Sequence, residues 1–413
     1  MPPKYKRKEW LQLIDSNTNL ERGLCITNFL KWNFQTNNMK PKIIWKNATK
    51  TIHRIISHEN LSDKDIEVIK FVAPFSTNFD FDFNDPFGMS PMDRVVCNGH
   101  TEIIEILAPL TQYQNFQTSY MGHTPISYAV KNENLRMIQV LARLVKNLNS
   151  PDIGGYTPIH WAAFNGNLQI MAILIATTEN PITQDINGET AIHWAVKKGH
   201  KNIVEMLISS TKNPNAPDNN GYTPIHLAAD NGNLEIMSFL ISHTENPITE
   251  DVNGKTPLHW AVKKGHRNIV EMLLASTDNP NTPDNNGCTP IHWAAYKGYL
   301  QIMAILIANS ENPITRDVNR ETPIHYAAKK GHKNIVEMLI SSTKNPNAPN
   351  INGITPFEFA KRKGYVEIMK ILKEKLMNIH LEKKKRKTIE DDWMTLHDMK
   401  KLKKEEKNIL ELV

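Results

Sequence analysis

The feature that most constrains this chain is an internal repeat with a period of 33 residues. One motif position recurs at Pro91, Pro125, Pro158, Ala191, Pro224, Pro257, Pro290, Pro323 and Pro356. The first step is 34 residues, and each later step is 33. A period of this length predicts stacked supersecondary units, none of which can bury its apolar face alone. Stacking also suits a length of 413 residues, which is too long for one ordinary compact core.

One copy of the repeat, residues 155–187, predicts a pair of helices. Thr157 is a good N-cap, and Pro158 occupies the first helical position, where its missing N–H costs nothing. We expect a short first helix that is closed by Gly166, acting as a left-handed C-cap. The apolar residues within 168–175 then predict a second helix that packs against its neighbours on nearly all sides.

Several copies of this motif resemble the signature of the ankyrin-repeat family. The copies read TPIHWAA at residues 157–163, TPIHLAA at 223–229, TPLHWAV at 256–262 and TPIHWAA at 289–295. Nine copies in register make the resemblance specific, and it covers residues 88–372. It implies an all-α fold, namely an ankyrin-repeat solenoid of helix-turn-helix units with short finger turns.

The segments outside the array differ from it in composition. Residues 1–50 form a basic N-terminal segment. Apolar residues within 51–87 predict a degenerate N-terminal capping repeat, because terminal repeats are usually atypical. Residues 88–372 form the ankyrin-repeat array, and residues 373–413 form a basic C-terminal tail that we expect to be helical.

The repeats depart from the family pattern at three kinds of position. Glu133 stands where the glycine between the two helices is usual, and Arg320 stands at the glycine of the finger turn. We expect irregular backbone at both, because a left-handed conformation is costly without glycine. A hydroxyl residue replaces the glycine after the second helix, which predicts a different turn there. These residues are Thr178, Thr211, Thr244, Thr277, Ser310 and Thr343.

No group of residues in the sequence indicates catalysis. The three cysteines, Cys25, Cys97 and Cys288, lie far apart and lack metal-ligand spacing. Phosphate-cradling glycine loops, HExxH motifs and nucleophile elbows are missing. We therefore expect no enzymatic activity, no cofactor, no metal centre and no small-molecule substrate. The sequence shows no export signal and no apolar run of bilayer length, which predicts a cytoplasmic location without membrane insertion.

Two columns of ring side chains recur with the repeat. Histidine occupies positions 160, 193, 226, 259, 292 and 325. A shared metal is disfavoured because successive copies would lie about 8–10 Å apart, and the family resemblance implies a structural role within the TPxH turn. An aromatic residue follows the histidine at Trp161, Trp194, Trp260, Trp293 and Tyr326. Base stacking is one interpretation of this column, and we favour packing against the adjoining helices.

The resemblance implies that the function is binding. We expect a non-catalytic scaffold or adaptor that binds a protein partner through the concave face and the finger turns of the array. The competing hypothesis is a nucleic-acid or chromatin-associated protein that uses its basic termini electrostatically.

A second period of 66 residues marks candidate partner-binding residues. Pairs of lysines recur in every second repeat, at Lys197, Lys198, Lys263, Lys264, Lys329 and Lys330. The equivalent places in the intervening repeats hold Phe164, Asn165, Asp230, Tyr296 and Lys297. By resemblance these positions face the concave side, so the six lysines would form a basic ladder with rungs roughly 20 Å apart, suited to an acidic partner. The alternative is that a recent duplication copied lysines that only confer solubility. Tyr156, Tyr222 and Lys255 are further candidates at the finger tips.

Two short patterns carry separate hypotheses. The run Lys383, Lys384, Lys385, Arg386 and Lys387 resembles a nuclear localisation signal and predicts a nuclear fraction, with a solvated helix surface as the alternative. Asn215, Asn281 and Asn347 occupy the finger position that asparagine hydroxylases modify in some ankyrin proteins. Plain turn asparagines are the alternative that we favour.

Overall fold

The computed structural model describes residues 52, 55, 56, 61–73, 91–107, 123–144, 147–178, 180–277 and 279–382. Regular secondary structure in these ranges is helical, apart from one isolated antiparallel bridge between Gln184 and Thr190. The chain divides into two compact units, Met1–Asn219 and Asn220–Val413. The predicted all-α fold is confirmed within each unit.

The first unit is built from helix pairs that stack on one another. Its helices are α1 Asp63–Val72, α2 Pro91–Cys97, α3 Thr101–Leu107, α4 Pro125–Lys131, α5 Leu135–Leu144, α6 Pro158–Asn165, α7 Leu168–Ala176, α8 Ala191–Lys198 and α9 Lys201–Ile208. Helices α2, α4 and α6 each pack on their own second helix and on the first helix of the next pair, and α8 packs on α6 and on its own second helix, α9. The second helices pack on each other in the same order.

The second unit repeats this arrangement. Its helices are α10 Pro224–Asn231, α11 Leu234–Ser242, α12 Pro257–Lys264, α13 Arg267–Leu274, α14 Pro290–Lys297, α15 Leu300–Ala308, α16 Pro323–Lys330, α17 Lys333–Ile340, α18 Pro356–Lys363 and α19, described over residues 366–382. Helix α19 continues through position 372, so the expected boundary between array and tail falls inside a helix. The domain boundaries otherwise stay a prediction.

Six of the described first helices begin at a reciprocal pair of hydrogen bonds between the N-cap threonine and the histidine three residues later, namely α6, α8, α10, α12, α14 and α16. In α10, the backbone N–H of Thr223 donates to His226 Nδ1 at 3.2 Å, and the backbone N–H of His226 donates to Thr223 Oγ1 at 3.4 Å. This capping box satisfies two donors that a helix start leaves without partners. In α18, Glu358 takes the place of the histidine.

In four repeats the capping histidine also bonds to the next repeat. Because Nδ1 accepts from the threonine N–H, Nε2 carries the proton, and in His226 it donates to the carbonyl of Lys255 at 3.0 Å. His160, His259 and His292 make the same bond to a carbonyl 29 residues further on. These four histidines therefore have the structural role that we expected for the column.

The glycine after several of the first helices is required by its backbone conformation and by a neighbouring side chain. Gly232 has φ of 76°, and a Cβ built there would lie 2.5 Å from Cε1 of His266. Gly166 and Gly298 approach His200 and His332 in the same way. We call His200, His266 and His332 the second-column histidines. Each donates from Nε2 to a carbonyl in the last turn of the first helix of the preceding repeat, as in the 3.1 Å bond from His266 Nε2 to the Asp230 carbonyl.

The expectation of irregular backbone at Glu133 and Arg320 is wrong. Both residues adopt the left-handed conformation of the glycines they replace, with φ of 54° and 57°. The hydrogen bonds around Glu133 match those of a glycine repeat, since the N–H of Asn134 still reaches the Ala129 carbonyl at 2.9 Å. Packing of the neighbouring repeats therefore imposes the conformation, at a strain of about 1–2 kcal/mol per residue.

The second helices end without a left-handed residue, as the hydroxyl residues there predict. The N–H of Thr244 donates to the Ile241 carbonyl at 3.3 Å, which is the tighter i to i−3 pattern. Among the described residues, Glu133 and Arg320 are the only non-glycine residues with positive φ.

The expected capping repeat is described only in part. Ile52 and Ile56 are fully buried, and α1 begins at Ser62 with a capping box to Asp65. Helix α1 packs against α3. That residues 51–87 form a capping repeat stays a prediction.

Replacing Gly232 by alanine should destabilise the fold much more than the same change at Gly364. Both glycines have φ near 75°, but a Cβ at Gly364 would meet nothing within 4 Å, whereas at Gly232 it would strike the His266 ring. We expect Gly364→Ala to cost about 1 kcal/mol and Gly232→Ala at least twice as much, measured by urea unfolding. Equal costs would contradict the assigned contact.

Acid should weaken the second unit through its buried histidines. Burial lowers the pKa of His259, His292 and His325 from 6.5 to about 4. Their folded pKa lies below the unfolded value, so this stability is complete above pH 6.5 and is lost as the pH falls toward 4. We expect a loss of about 2 kcal/mol per histidine at pH 5, seen as a lower urea midpoint than at pH 7.

The matched control replaces the same three histidines by glutamine. Glutamine also completes a capping box, and the glutamate at position 358 shows that a non-histidine partner is accepted there. The triple variant should be less stable at pH 7 but should vary less between pH 7 and pH 5. An unchanged slope would show that other groups cause the acid sensitivity.

Candidate partner-binding surface

Aromatic side chains gather at the first helices of the first unit. The Trp194 ring centroid lies 5.2 Å from that of Tyr156, 5.9 Å from Trp161 and 5.6 Å from Phe164, all edge to face. Such pairs each contribute about 0.5–1.5 kcal/mol beyond burial. The rings therefore hold one another in fixed orientations while Phe164 stays exposed at the surface.

The two candidate lysines of the first unit contact either this aromatic cluster or a nearby acid. Lys198 Nζ lies 4.0 Å from the Phe164 centroid, which is cation–π geometry. Lys197 forms an ion pair with Glu189. Asn165 does not point freely to a partner, because its Nδ2 donates to the carbonyls of Val130 at 3.2 Å and Lys131 at 3.3 Å.

In the second unit, two lysines converge on two indoles. Lys263 Nζ lies 4.2 Å from the Trp260 centroid and 5.5 Å from that of Trp293. Lys255 Nζ lies 5.7 Å from both centroids. Burial lowers the pKa of Lys263, and the positive charge of Lys255 adds to that effect.

The other three candidate lysines of the second unit also contact neighbouring side chains. Lys264 Nζ pairs with Asp230 at 3.1 Å. Lys330 Nζ lies 4.3 Å from the Tyr296 centroid, and its hydrogen bond lowers the pKa of the Tyr296 hydroxyl. Lys329 Nζ lies 5.3 Å from the ring of Phe359.

These contacts show how the 66-residue pattern is used. The intervening residues Phe164, Asp230 and Tyr296 each contact the second lysine of the next repeat. A residue of one repeat and a lysine of the following repeat therefore form one composite surface.

In three of the described repeats an aspartate connects the finger turn to the aromatic column. Asp251 Oδ1 accepts from the backbone N–H of Asn253 at 2.8 Å and of Lys255 at 2.9 Å. Its Oδ2 accepts from Trp260 Nε1 at 3.3 Å. Asp185 with Trp194, and Asp317 with Tyr326, repeat this link. The turn and the helix surface are therefore positioned by the same side chain.

The outermost finger residues were missed by the sequence reasoning. Their side chains are β-branched and 59–82 % exposed, at Ile153, Ile186, Val252, Val318 and Ile351. Tyr156, Tyr222 and Lys255, which we had placed at the tips, lie half-buried just before the helices. A signal was present, because an aliphatic residue between the turn aspartate or asparagine and the following Asn or Gly has no core to enter.

Neighbouring fingers are joined by backbone hydrogen bonds. The N–H of Ile186 donates to the Gly154 carbonyl at 3.2 Å, and in the second unit the N–H of Val318 donates to the Asn286 carbonyl at 3.0 Å. Asn285 Nδ2 adds a bond to the Val252 carbonyl at 3.1 Å. The exposed aliphatic residues are thus held on a firm backbone.

The candidate hydroxylation asparagines occupy structured turns. Asn215 is buried, and Asn281 Nδ2 donates to the Asn312 carbonyl at 3.0 Å. Asn347 Oδ1 accepts from the backbone N–H of Phe357 at 2.9 Å. These bonds fit the plain turn interpretation, and hydroxylation stays a hypothesis. The basic run from Lys383 to Lys387 lies outside the described residues.

Two kinds of site are absent from the described ranges, namely a metal-ligand cluster and a membrane-spanning helix. No group of three or more His, Cys, Asp or Glu side chains within them is arranged to hold a metal ion. None of the helices described here combines the length and apolar character needed to span a bilayer.

Comparison with known proteins gives one family. The sequence profile described as "Ankyrin repeats (3 copies)" matches residues 57–152, 142–218, 212–284, 275–350 and 312–385. A comparison with curated proteins found no match. The profile matches cover most of the chain, and the helix pairs, capping boxes and finger turns agree with them. The chain therefore belongs to the ankyrin-repeat family, whose repeats are generally protein–protein interaction modules.

Proposed function

We propose that this protein is a non-catalytic scaffold or adaptor that binds an acidic protein partner through the surface formed by its first helices and finger turns. The observation that supports this most is the set of lysines that lie over exposed or half-buried aromatic rings in every second repeat. Aromatic side chains at an accessible surface are typical of binding hot spots. By family resemblance this surface is the concave face.

The surface is preorganised for a partner. Edge-to-face contacts fix the rings, and cation–π contacts restrict Lys198, Lys263 and Lys330. A partner then loses less side-chain entropy on binding than it would with free lysines. Lysine charges would select acidic groups, and the aromatic rings would supply apolar contact.

The finger tips add a second kind of contact. Val252, Val318 and Ile351 are exposed in the second unit, and Ile153 and Ile186 in the first. Single exposed aliphatic residues are normal, but the same turn position is aliphatic and exposed in five repeats. We propose that a partner contacts this row with apolar side chains while its acidic groups meet the lysines.

Reversing the charge of the six lysines should abolish partner binding. The variant carries glutamate at positions 197, 198, 263, 264, 329 and 330. We expect at least a tenfold weaker capture of partners by the full-length protein, and steep salt dependence of capture by the unchanged protein. The measurement is a quantitative pull-down with proximity labelling in cells.

A control variant makes the same charge change elsewhere. It reverses six basic residues on the second helices and the turns after them, at Lys201, Lys212, Arg267, Arg316, Lys333 and Lys344. Captured proteins should persist in this control. If the first variant keeps its partners, binding lies elsewhere. If nuclease treatment removes the captured material from the unchanged protein, the nucleic-acid hypothesis replaces the present one.

For location, we propose the cytoplasm with a nuclear fraction that depends on the run Lys383–Lys387. The support is the resemblance of this run to a nuclear localisation signal. Changing its five residues to alanine in the full-length protein fused to a fluorescent protein should deplete the nuclear fraction. An unchanged distribution in live-cell imaging would leave the run as solvated surface.

A further inference from the structure

The 66-residue period places three copies of the same two positions in the protein. The residue before the N-cap threonine is Glu189, Lys255 or Glu321. The residue eight positions later is lysine in all three copies, at Lys197, Lys263 and Lys329. The middle copy therefore has the opposite charge at the first of these two repeated positions, where Lys255 stands in place of a glutamate.

The first copy shows that these two side chains reach each other. Glu189 and Lys197 form a direct ion pair across the start and the end of α8. The third copy uses the glutamate differently, since Glu321 is buried and its Oε1 accepts from Asn350 Nδ2 at 3.1 Å. In both copies the acid is bound within the protein.

In the middle copy the same reach brings two ammonium groups together. Lys255 and Lys263 lie over the same pair of indoles, Trp260 and Trp293. The backbone of Lys255 is fixed by Asp251, so the approach does not depend on a mobile loop. Among the charged side chains that act on Lys263, three are lysines (Lys255, Lys264 and Lys297), and the fourth, Asp230, is paired with Lys264. The Asp251 carboxylate accepts from the Trp260 indole N–H. Positive charge therefore predominates around Lys263.

We infer that Lys255 and Lys263, with Trp260 and Trp293 beneath them, form a subsite for a phosphate monoester, namely a phosphorylated side chain of the protein partner. A phosphate monoester carries about −1.5 to −2 charges at neutral pH and has three acceptor oxygens. It can therefore neutralise both ammonium groups, whereas one carboxylate neutralises only one of them. Lysine acts here as a point charge on a stem held by the indole face. The assignment of the phosphate to a protein rests on the proposed function.

The test uses the full-length protein with ¹⁵N-labelled tryptophan indoles. The probe is N-acetyl-O-phosphoserine amide, compared with N-acetyl-glutamate amide and diethyl phosphate. We expect the indole N–H signals of Trp260 and Trp293 to shift saturably with the phosphoserine probe and at least tenfold more weakly with the other two. The signals are assigned with W260F and W293F.

Lys255→Glu is the decisive variant, because glutamate already stands at the equivalent positions 189 and 321 without disturbing the fold. It should lose at least tenfold in affinity for the phosphoserine probe. Lys344→Glu, on an exposed turn, should keep it. Absent saturation, equal binding of the glutamate or diester probe, or an unchanged affinity in Lys255→Glu would each overturn the inference. Because the probe needs no partner, a failed pull-down with an intact phosphoserine response would reject the proposed function alone.

Discussion

The buried histidine of the first helix is the interaction on which the rest of the fold depends. In His226, one ring nitrogen accepts from the N-cap of its own helix and the other donates to the carbonyl of the next repeat. One side chain thus starts a helix and fixes the spacing to its neighbour. The accepting bond needs a neutral ring, and burial favours that form by lowering the pKa of equivalents such as His259. A short helix of eight residues would be marginal without these contacts.

The second-column histidines complete the connection at the other end of the helix. His266 bonds the carbonyl of Asp230 and lies against Gly232, which has room for it only because it lacks a side chain. Three pairs of successive repeats are therefore joined at both ends of the first helix, namely those with first helices α6 and α8, α10 and α12, and α14 and α16. Because the frame is fixed in this way, the exposed residues between the two ends are free to differ. Charge reversal at Lys255 is one such difference.

Glu133 and Arg320 show that the neighbouring repeats outweigh local preference. Both residues keep a left-handed backbone that a side chain disfavours. The finger hydrogen bond from the N–H of Ile351 to the Asn319 carbonyl, at 2.9 Å, is preserved beside Arg320. Cooperative stacking tolerates a local strain of this size because each unit gains its stability from the adjacent ones.

The sequence alone determined the period, the positions of both helices in each repeat and the caps at Thr157 and Gly166, whereas the structural role of the histidines was implied by the family resemblance. These features depend on residues within a few positions of one another or on strict repetition, so their signals are local. Only the tertiary structure decided that Lys198 lies on Phe164, that Lys264 pairs with Asp230 and that Lys255 and Lys263 share two indoles. The contacts to Phe164 and Asp230, and the reach of Lys255 to Trp293, join residues about one repeat apart in sequence. Their geometry follows from the packing of successive first helices, which fixes which side chains meet and which remain exposed.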